Sequence, residues 1–268
     1  MGPAHLTRAF PDDAFFRWQL VTGAVDGPPA DPGTVDADPS AWTSGQAWAR
    51  YDVVTGGSRL IVGGDPADAA ALMTAVVPDL LAAGRRPDRV SVVRAAVDLL
   101  EPALRPVGGD DWDWFSTGTA PAVLVPGEKR VARVDTTDPA VPSAVVALLE
   151  GHSPRFSRDP RRVGASWWAI AADDRPGYAA VTAVEPLPRA VHLASIATRT
   201  DLRGTGLASA LTAAVTRSSL ADGAEAVVLG MYADNDTARR LYRRLGFRDS
   251  HHWRSGRLAG LTGARMQR

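Results

Sequence analysis

The sequence contains no cysteine in its 268 residues. This absence excludes disulfide bridges, thiolate zinc sites and a cysteine nucleophile, and it is typical of a protein kept in the reducing cytoplasm. Net charge is also absent, because 30 Lys and Arg side chains balance 30 Asp and Glu side chains. A protein without an excess of basic charge is not expected to bind nucleic acid or an anionic membrane surface.

Long apolar runs are missing as well. No segment approaches the roughly 18 consecutive apolar residues of a membrane-spanning helix. The first 20 residues carry Asp12, Asp13 and Arg17 where a signal peptide would have an apolar core. We therefore expect a soluble cytoplasmic protein, either a monomer or a homodimer.

Turn residues and apolar periodicity predict an α/β chain with two similar halves. In the first half, a helix runs from Asp65 to Ala83, with Asp65 as its cap. A second helix begins at Arg94 and is disturbed by Pro102. Strands are predicted at ARYDVV, RLIVGG, RVSVV and DWDWFST, and residues 23–41 are predicted to form an exposed loop.

The second half begins near Pro126 and has a similar order. Helices are predicted at DPAVPSAVVALLEG, at 206–220 and at 236–245. Strands are predicted at KRVARV, SWWAIAA, GYAAVTAV, VHLASIAT, AEAVVLGM and FRDSHHW. The shared succession of helix, glycine and strand indicates a diverged internal duplication, although unrelated α/β chains also show such alternation.

The stretch LRGTGLASAL, Leu202–Leu211, places two spaced glycines before an amphipathic helix. A helix N-terminus has unpaired N–H groups and the positive end of a dipole, so it binds phosphate. Gly204 and Gly206 let successive amides curl around diphosphate oxygens. Ala208 keeps the first helical turn narrow, and Arg203 adds a cation. The first half has LIVGGDPADAAAL instead, so we expect it to be inert toward such a ligand.

Three kinds of structure compete for this pattern. A P-loop is excluded because no Gly-Lys-Ser/Thr follows. A Rossmann turn is closer, since residues 204–209 read G-x-G-x-x-S. However, the third glycine is missing, and the four residues RTDL separate the strand from the turn. The third possibility is a flexible start of a helix without any ligand.

The surrounding sequence resembles the GNAT superfamily of acyl-CoA-dependent N-acetyltransferases. Residues 203–208 are similar to its motif A, Gln/Arg-x-x-Gly-x-Gly/Ala, and YADNDTARRLYRRLGF is similar to its motif B. The resemblance covers roughly residues 127–268. It implies an α/β chain of two tandem GNAT-like domains, each a mostly antiparallel central sheet flanked by helices. Residues 1–125 would form a degenerate domain, and 126–268 the acetyl-CoA-binding catalytic domain.

The resemblance also implies acetyl-CoA as acyl donor and a primary amine as acceptor, without a metal. The coenzyme would lie between the strands VHLASIAT and AEAVVLGM and pair with exposed backbone groups. Tyr242 matches the family's general acid, and a backbone N–H of residues 196–198 would stabilise the oxyanion. A core aromatic role for Tyr242 and a helix-capping role for Asn235 are the structural alternatives. The residues implied to bind the coenzyme are Ile196, Ala197, Thr198, Arg203, Gly204, Thr205, Gly206, Leu207, Ala208, Ser209, Asn235 and Tyr242.

The sequence defines the general base less well. Several N-terminal and ribosomal-protein acetylases have a Glu five residues before the motif-B Asn, and this chain has Gly230 there. Histone acetyltransferases have a Glu four residues before the position of Ile196, and this chain has His192. Strand alternation would place His192 on one face with Ala194, Ile196 and Thr198, pointing toward the thioester as a base. The alternative is a structural histidine and capture of free amine.

The acceptor is the least determined feature. We expect an N-acetyltransferase of a small-molecule amine, with a protein N-terminus or lysine as the alternative acceptor. The connection GHSPRFSRDPRR would line the acceptor site through His152 and Phe156. Its arginines would attract an acidic acceptor or be merely solvated: Arg155, Arg158, Arg161 and Arg162. Trp112, Trp114, Trp167 and Trp168 are interpreted as packing residues. A non-catalytic acyl-CoA sensor and a Rossmann-type oxidoreductase are the rival functions.

Overall fold

A computed structural model describes Leu6 and residues 9–20, 40–54, 57–138, 140–153, 155–156, 160 and 164–262. Within these ranges, one π-helical turn is Phe16–Leu20. The strands are β1 (Ala41–Ser44), β2 (Ala47–Val54), β3 (Gly57–Gly64), β4 (Arg89–Val93), β5 (Pro106–Val107), β6 (Asp111–Thr117), β7 (Val131–Val134), β8 (Ser166–Ala171), β9 (Tyr178–Pro186), β10 (Ala190–Thr198), β11 (Ala226–Tyr232) and β12 (Arg248–Leu258). The α-helices are α1 (Pro66–Ala82), α2 (Ala140–His152), α3 (Leu207–Ala221), α4 (Asp236–Arg244) and α5 (Ala259–Thr262). The predicted loop at 23–41 falls almost entirely outside the described residues.

The chain divides into two compact units. Unit 1 comprises Met1–Trp114, Tyr232–Asp234 and Ser250–Arg268, and unit 2 comprises Phe115–Met231 and Asn235–Asp249. The predicted boundary between residues 125 and 126 differs from this division. Residues 115–125 belong to unit 2, and β12 from Ser250 onward belongs to unit 1 because it pairs with β4. The tandem duplication stays a prediction.

Unit 1 is built on an antiparallel β1–β2–β3 meander, to which β4 adds in parallel after the crossover helix α1. Asp65 caps α1, as predicted, and the helix buries an apolar stripe that includes Leu72, Met73 and Val76. The predicted helix from Arg94 is instead a 3₁₀ turn, Arg94–Leu99. The chain then becomes extended, because Glu101 precedes a proline and is disfavoured in the α conformation.

An aromatic cluster packs unit 1 beside this meander. The Phe15 ring lies 5.4 Å from that of Trp114 and 4.9 Å from that of Trp253, measured between ring centroids. Trp112 stacks on Trp253 at 5.8 Å. Trp112 and Trp114, which were predicted to be packing residues, therefore pack within unit 1. In unit 2, Trp167 is fully buried.

Unit 2 is built on five adjacent strands in the order β7–β8–β9–β10–β11. All neighbours are antiparallel except β10 and β11, which are parallel and joined through α3. Two apolar clusters cover its two faces. Cluster A includes Leu193, Ala210, Leu211, Leu229 and Tyr242, and cluster B includes Val145, Leu149, Trp167, Ala194 and Ala197.

The two units share one stretch of topology. In unit 1, a β2–β3 hairpin, the helix α1 and the parallel strand β4 follow one another. In unit 2, the β9–β10 hairpin, α3 and β11 follow in the same order and with the same strand directions. Each unit therefore has a crossover helix whose N-terminus follows a central strand. In the described ranges, no helix is long and apolar enough to cross a membrane.

Candidate functional site

The turn between β10 and α3 has the backbone that its glycines predict. Gly204 has a φ of 83° and Gly206 a φ of 91°, both in the left-handed region. A Cβ built at either position would meet no atom within 4 Å. The glycines are therefore required by backbone conformation, and the space in front of the turn is open.

The N-terminus of α3 is available to an anion. Gly206 is the N-cap and provides no side-chain hydrogen bond to the helix. The first-turn amides of Leu207, Ala208 and Ser209 lack acceptors within the helix, as at any helix N-terminus. The Thr205 hydroxyl donates to the carbonyl of Leu202 at 2.7 Å and so holds the turn rather than capping the helix.

The N-terminus of α1 differs in this respect. The carboxylate of Asp65 accepts hydrogen bonds from the amides of Ala67 at 2.9 Å and Asp68 at 3.2 Å. Asp68 itself accepts from the amide of Gln46 at 2.7 Å. Two carboxylates thus lie where a diphosphate would have to bind, and their negative charge opposes it.

Helix α2 supports the glycine turn of unit 2. The amide of Thr200 donates to Nδ1 of His152 at 3.2 Å, and the Thr200 hydroxyl lies 2.7 Å from the same nitrogen. Arg203 donates to the carbonyl of His152 at 2.7 Å. The imidazole of His152, which was predicted to line the acceptor pocket, thus bonds to Thr200 just before the turn. Arg203, the predicted cation, joins the turn to the end of α2 through the His152 carbonyl.

A second support is an ion-pair network that the sequence analysis missed. The buried Arg199 guanidinium binds Asp174 in the β8–β9 connection and Asp201 beside the turn. Hydrogen bonds from Arg199 lower the pKa of both carboxyl groups below the ordinary value of 3.8. Arg175 adds a contact of 3.2 Å to Asp201. The chain immediately before the glycine turn is therefore anchored to the neighbouring hairpin.

Strands β10 and β11 pair only along part of their length. Their parallel register runs from Ala190 opposite Ala226 to Leu193 opposite Leu229. Strand β10 continues to Thr198, but its pairing with β9 is interrupted by a bulge between Ala194 and Ala197. Residues 194–198 therefore extend beyond the described β10–β11 pairing, and these include the predicted coenzyme-binding residues Ile196, Ala197 and Thr198.

The bulge changes which side chains share a face. Ser195 has a φ of 51°, so the strand gains one residue there. Leu193 and Ile196 pack in or against cluster A, whereas Ala194 and Ala197 lie in cluster B. The predicted common face of His192, Ala194, Ile196 and Thr198 is wrong, because the alternation of side chains breaks at Ser195.

His192 lies on the cluster B side of β10, since it precedes Leu193 and shares a face with Ala194. Its Nδ1 is 2.8 Å from Oε2 of Glu185, the residue opposite it on β9. Glu185 was not among the predicted site residues. A carboxylate in the otherwise apolar strand YAAVTAVEP was the available signal.

Tyr242 projects from α4 into cluster A. Its ring lies 5.9 Å from that of Phe115 and 6.0 Å from that of Phe247. Burial raises the pKa of the Tyr242 hydroxyl above its ordinary value of 10.0, so the group is protonated at neutral pH. Within the described part of the chain, its hydroxyl has no hydrogen-bond partner. A buried, protonated and unengaged hydroxyl suits a proton donor.

Asn235 begins α4 as predicted. Its Oδ1 accepts a hydrogen bond from the amide of Ala238 at 3.0 Å. The remaining acceptor-site residues are only partly described. Phe156 packs against cluster B, whereas Arg158, Arg161 and Arg162 lie outside the described residues. Among the described residues, no group of three or more His, Asp or Glu side chains is arranged to hold a metal ion.

Solved structures share the fold of this chain. A GCN5-related N-acetyltransferase from Kribbella flavida has a TM-score of 0.52 and 18% identity, over 80% of this chain and 87% of that chain. A GCN5-related N-acetyltransferase from Sphaerobacter thermophilus has a TM-score of 0.50 and 18% identity, over 78% and 75% of the two chains. These likenesses concern the fold, and they confirm the predicted mixed α/β class.

A family model matches part of the C-terminal half of the chain. Residues 141–247 match the family model described as Acetyltransferase (GNAT) family, so this part of the chain is a GNAT acetyltransferase domain. A mycothiol acetyltransferase from Corynebacterium aurimucosum is 34% identical over 106 residues, which cover 40% of this chain. The match spans only 31% of that curated relative.

Proposed function

We propose that unit 2 transfers an acetyl group from acetyl-CoA to a primary amine of a small molecule. The observation that carries this proposal is the uncapped N-terminus of α3 behind two glycines in the left-handed conformation. Open space lies in front of both glycines, as a bound diphosphate requires. The cofactor-binding set would then be Arg203, Gly204, Thr205, Gly206, Leu207, Ala208 and Ser209.

The unpaired part of β10 supports the position of the pantetheine chain. Backbone groups of Ile196, Ala197 and Thr198 lie beyond the last β10–β11 pair and would bind the chain as a strand binds its neighbour. One of these amides would also stabilise the oxyanion that develops at the thioester carbonyl. Asn235, at the start of α4, would contact the same chain through its exposed carboxamide.

Acid and base would act from opposite faces of the sheet. Tyr242 belongs to cluster A, and His192 points toward the face of cluster B. A thioester held in the gap between β10 and β11 would lie between these two faces. His192 would take a proton from the acceptor nitrogen, and Tyr242 would give one to the leaving sulfur. The thioester supplies the activated acetyl carbon.

A small-molecule acceptor is favoured over a protein N-terminus or lysine. The curated relative is named for a small molecule, mycothiol, which supports this choice. A non-catalytic acyl-CoA sensor is the second candidate, and Gly230 favours it, because no carboxylate stands at that position of β11. We further propose that the shared topology of the two units reflects an internal duplication in which unit 1 is degenerate.

Thermal shift and thiol release test the proposal together. Acetyl-CoA should raise the melting temperature and NAD(P) should not, since only a ligand of the native state stabilises it. Release of free CoA thiol should then depend on one or more members of an amine panel. Stabilisation by NAD(P) instead would favour the Rossmann alternative. Acetyl-CoA binding without turnover on any amine or peptide would favour the sensor.

A further inference from the structure

Glu185 and His192 form a cross-strand pair on the cluster B side of unit 2. They lie opposite each other in the antiparallel β9–β10 register, and Oε2 is 2.8 Å from Nδ1. Only 19% of the Glu185 side chain and 16% of the His192 side chain are exposed. Partial burial strengthens such a bond, and two facing strands keep its geometry fixed.

The chemistry of the partner decides which ring nitrogen carries the proton. An ionised carboxylate only accepts hydrogen bonds, so Nδ1 of His192 must be the donor. In the neutral imidazole, Nε2 then keeps its lone pair. The side chain of Glu185 thus holds His192 in the tautomer that carries its proton on Nδ1 and leaves Nε2 free.

The position of the pair relates it to the gap in the sheet. His192 stands opposite Val228, one residue before the last β10–β11 pair. Gly230 lies two residues after Val228 on β11 and therefore on the same face of the sheet. It is exposed and has no side chain. No side chain of β11 therefore stands at Gly230, next to the point where the described pairing of the two strands ends.

We propose that Glu185 is a positioning residue for His192, which it orients as the base of the proposed transfer. This inference rests on the proposed transferase function. After proton transfer, the imidazolium and the carboxylate neutralise each other.

Two protons leave the acceptor nitrogen during the transfer. Nε2 of His192 takes one proton from the ammonium group, and the released lone pair forms the new N–C bond to the acetyl carbon. The C–S bond breaks, and the Tyr242 hydroxyl gives its proton to the sulfur. The nitrogen loses its second proton, which returns to the Tyr242 oxygen through water. His192 releases the first proton to solvent.

Two substitutions of Glu185 test the pair, with Glu225→Gln as the matched control. Glu225 is a carboxylate of the same unit that binds Arg189 at 2.6 Å instead of a histidine. We expect ¹⁵N NMR of histidine-labelled protein to find Nδ1 protonated in the wild type and in Glu225→Gln. Glu185→Ala should move the His192 tautomer toward Nε2–H. Glu185→Leu removes the acceptor while keeping much of the side-chain volume, and it serves as the variant if Glu185→Ala does not fold.

Kinetics give a second, independent readout. The kcat/KM for the amine should fall about tenfold or more in the Glu185 variants, with the KM for acetyl-CoA unchanged. An unchanged tautomer would overturn the positioning role of Glu185. A changed tautomer with unchanged kcat/KM would overturn the proton transfer to His192. A changed tautomer in a protein that is inactive on every amine would overturn the transferase proposal and still support the positioning role.

Discussion

The guanidinium of Arg199 binds the carboxylate of Asp174 through two hydrogen bonds of 2.7 and 3.0 Å, although the residues are 25 positions apart. Asp174 lies in the β8–β9 connection, and Arg199 directly follows the end of β10. Asp201 binds the same guanidinium from the other side, on the way to the glycine turn. The backbone that would present amides to a diphosphate is thus fixed by charge pairs outside the sheet.

Replacing the cation should disturb that backbone. In Arg199→Gln, both carboxylates lose their bidentate partner, and Arg175 alone then balances their two charges beside the proposed diphosphate site. We expect the KM for acetyl-CoA to rise about tenfold, with a smaller effect on kcat. Arg189→Gln is the control, because Arg189 also binds a carboxylate, that of Glu225, through two hydrogen bonds of 2.6 Å, but at the exposed other end of β10. An equal change of KM in both variants would contradict a specific role for Arg199.

The same network predicts an effect of acid. Hydrogen bonds from Arg199 lower the pKa of Asp174 and Asp201 below the ordinary value of 3.8. A lowered pKa contributes stability that is fully present above that ordinary value and is lost as pH falls through the folded value. The difference in melting temperature between wild type and Arg199→Gln should therefore be constant from neutral pH to about pH 4 and shrink below it. A difference that grows in acid would contradict this.

Tyr242→Phe should separate chemistry from binding. We expect turnover to fall by about 10²–10⁴ while acetyl-CoA affinity is kept, because a positioned acid is lost and the ring remains. Stability should change little, since no described residue bonds to the hydroxyl. Tyr51→Phe is the control, because Tyr51 is a similarly buried tyrosine of unit 1. Stopped-flow or steady-state thiol release measures the rate, and an unchanged rate would remove Tyr242 from the mechanism.

The helix caps of the two units should respond differently. Asp65→Ala removes the cap of α1 and should cost about 1 kcal/mol of stability without changing acetyl-CoA affinity. Asn235→Ala removes the cap of α4 at a similar cost in stability, but it should also weaken coenzyme binding. Denaturant unfolding and calorimetric titration measure the two effects. The titration of the wild type should give one bound coenzyme per chain. Two bound coenzymes per chain would contradict the expectation that unit 1 does not bind the coenzyme.

Local signals predicted much of this structure. A cap and a proline mark the start of α1, paired glycines mark the turn before α3, and Asn235 marks the start of α4, because each is a short-range effect of one or two residues. The bulge at Ser195 had no such signal, since a residue other than glycine takes the positive φ there. An extra residue in a strand moves each following side chain to the opposite face of the sheet. The predicted common face of His192 and Ile196 was wrong for this reason.

Contacts distant in sequence were also not predictable. The pairing of Arg199 with Asp174 depends on how a hairpin folds back, and the bond of Glu185 to His192 depends on the β9–β10 register. The pairing of β12 with β4 likewise joins residues more than 150 positions apart. The strand predicted at FRDSHHW covers only the first part of β12, and its sequence carries no information about which strand it will join.

The two glycines of unit 2 that follow and precede α3 allow a matched test of the diphosphate site. Gly206 and Gly223 both have positive φ, 91° and 99°, and a Cβ at either would meet no atom within 4 Å. Gly206→Ala and Gly223→Ala should therefore suffer similar strain, on the order of 1–2 kcal/mol. Only Gly206→Ala adds a methyl group in front of the α3 amides, so only this variant should lose acetyl-CoA affinity, by about tenfold or more. Calorimetric titration and denaturant unfolding measure the two quantities separately. Equal coenzyme affinity in two equally destabilised variants would mean that the diphosphate binds elsewhere.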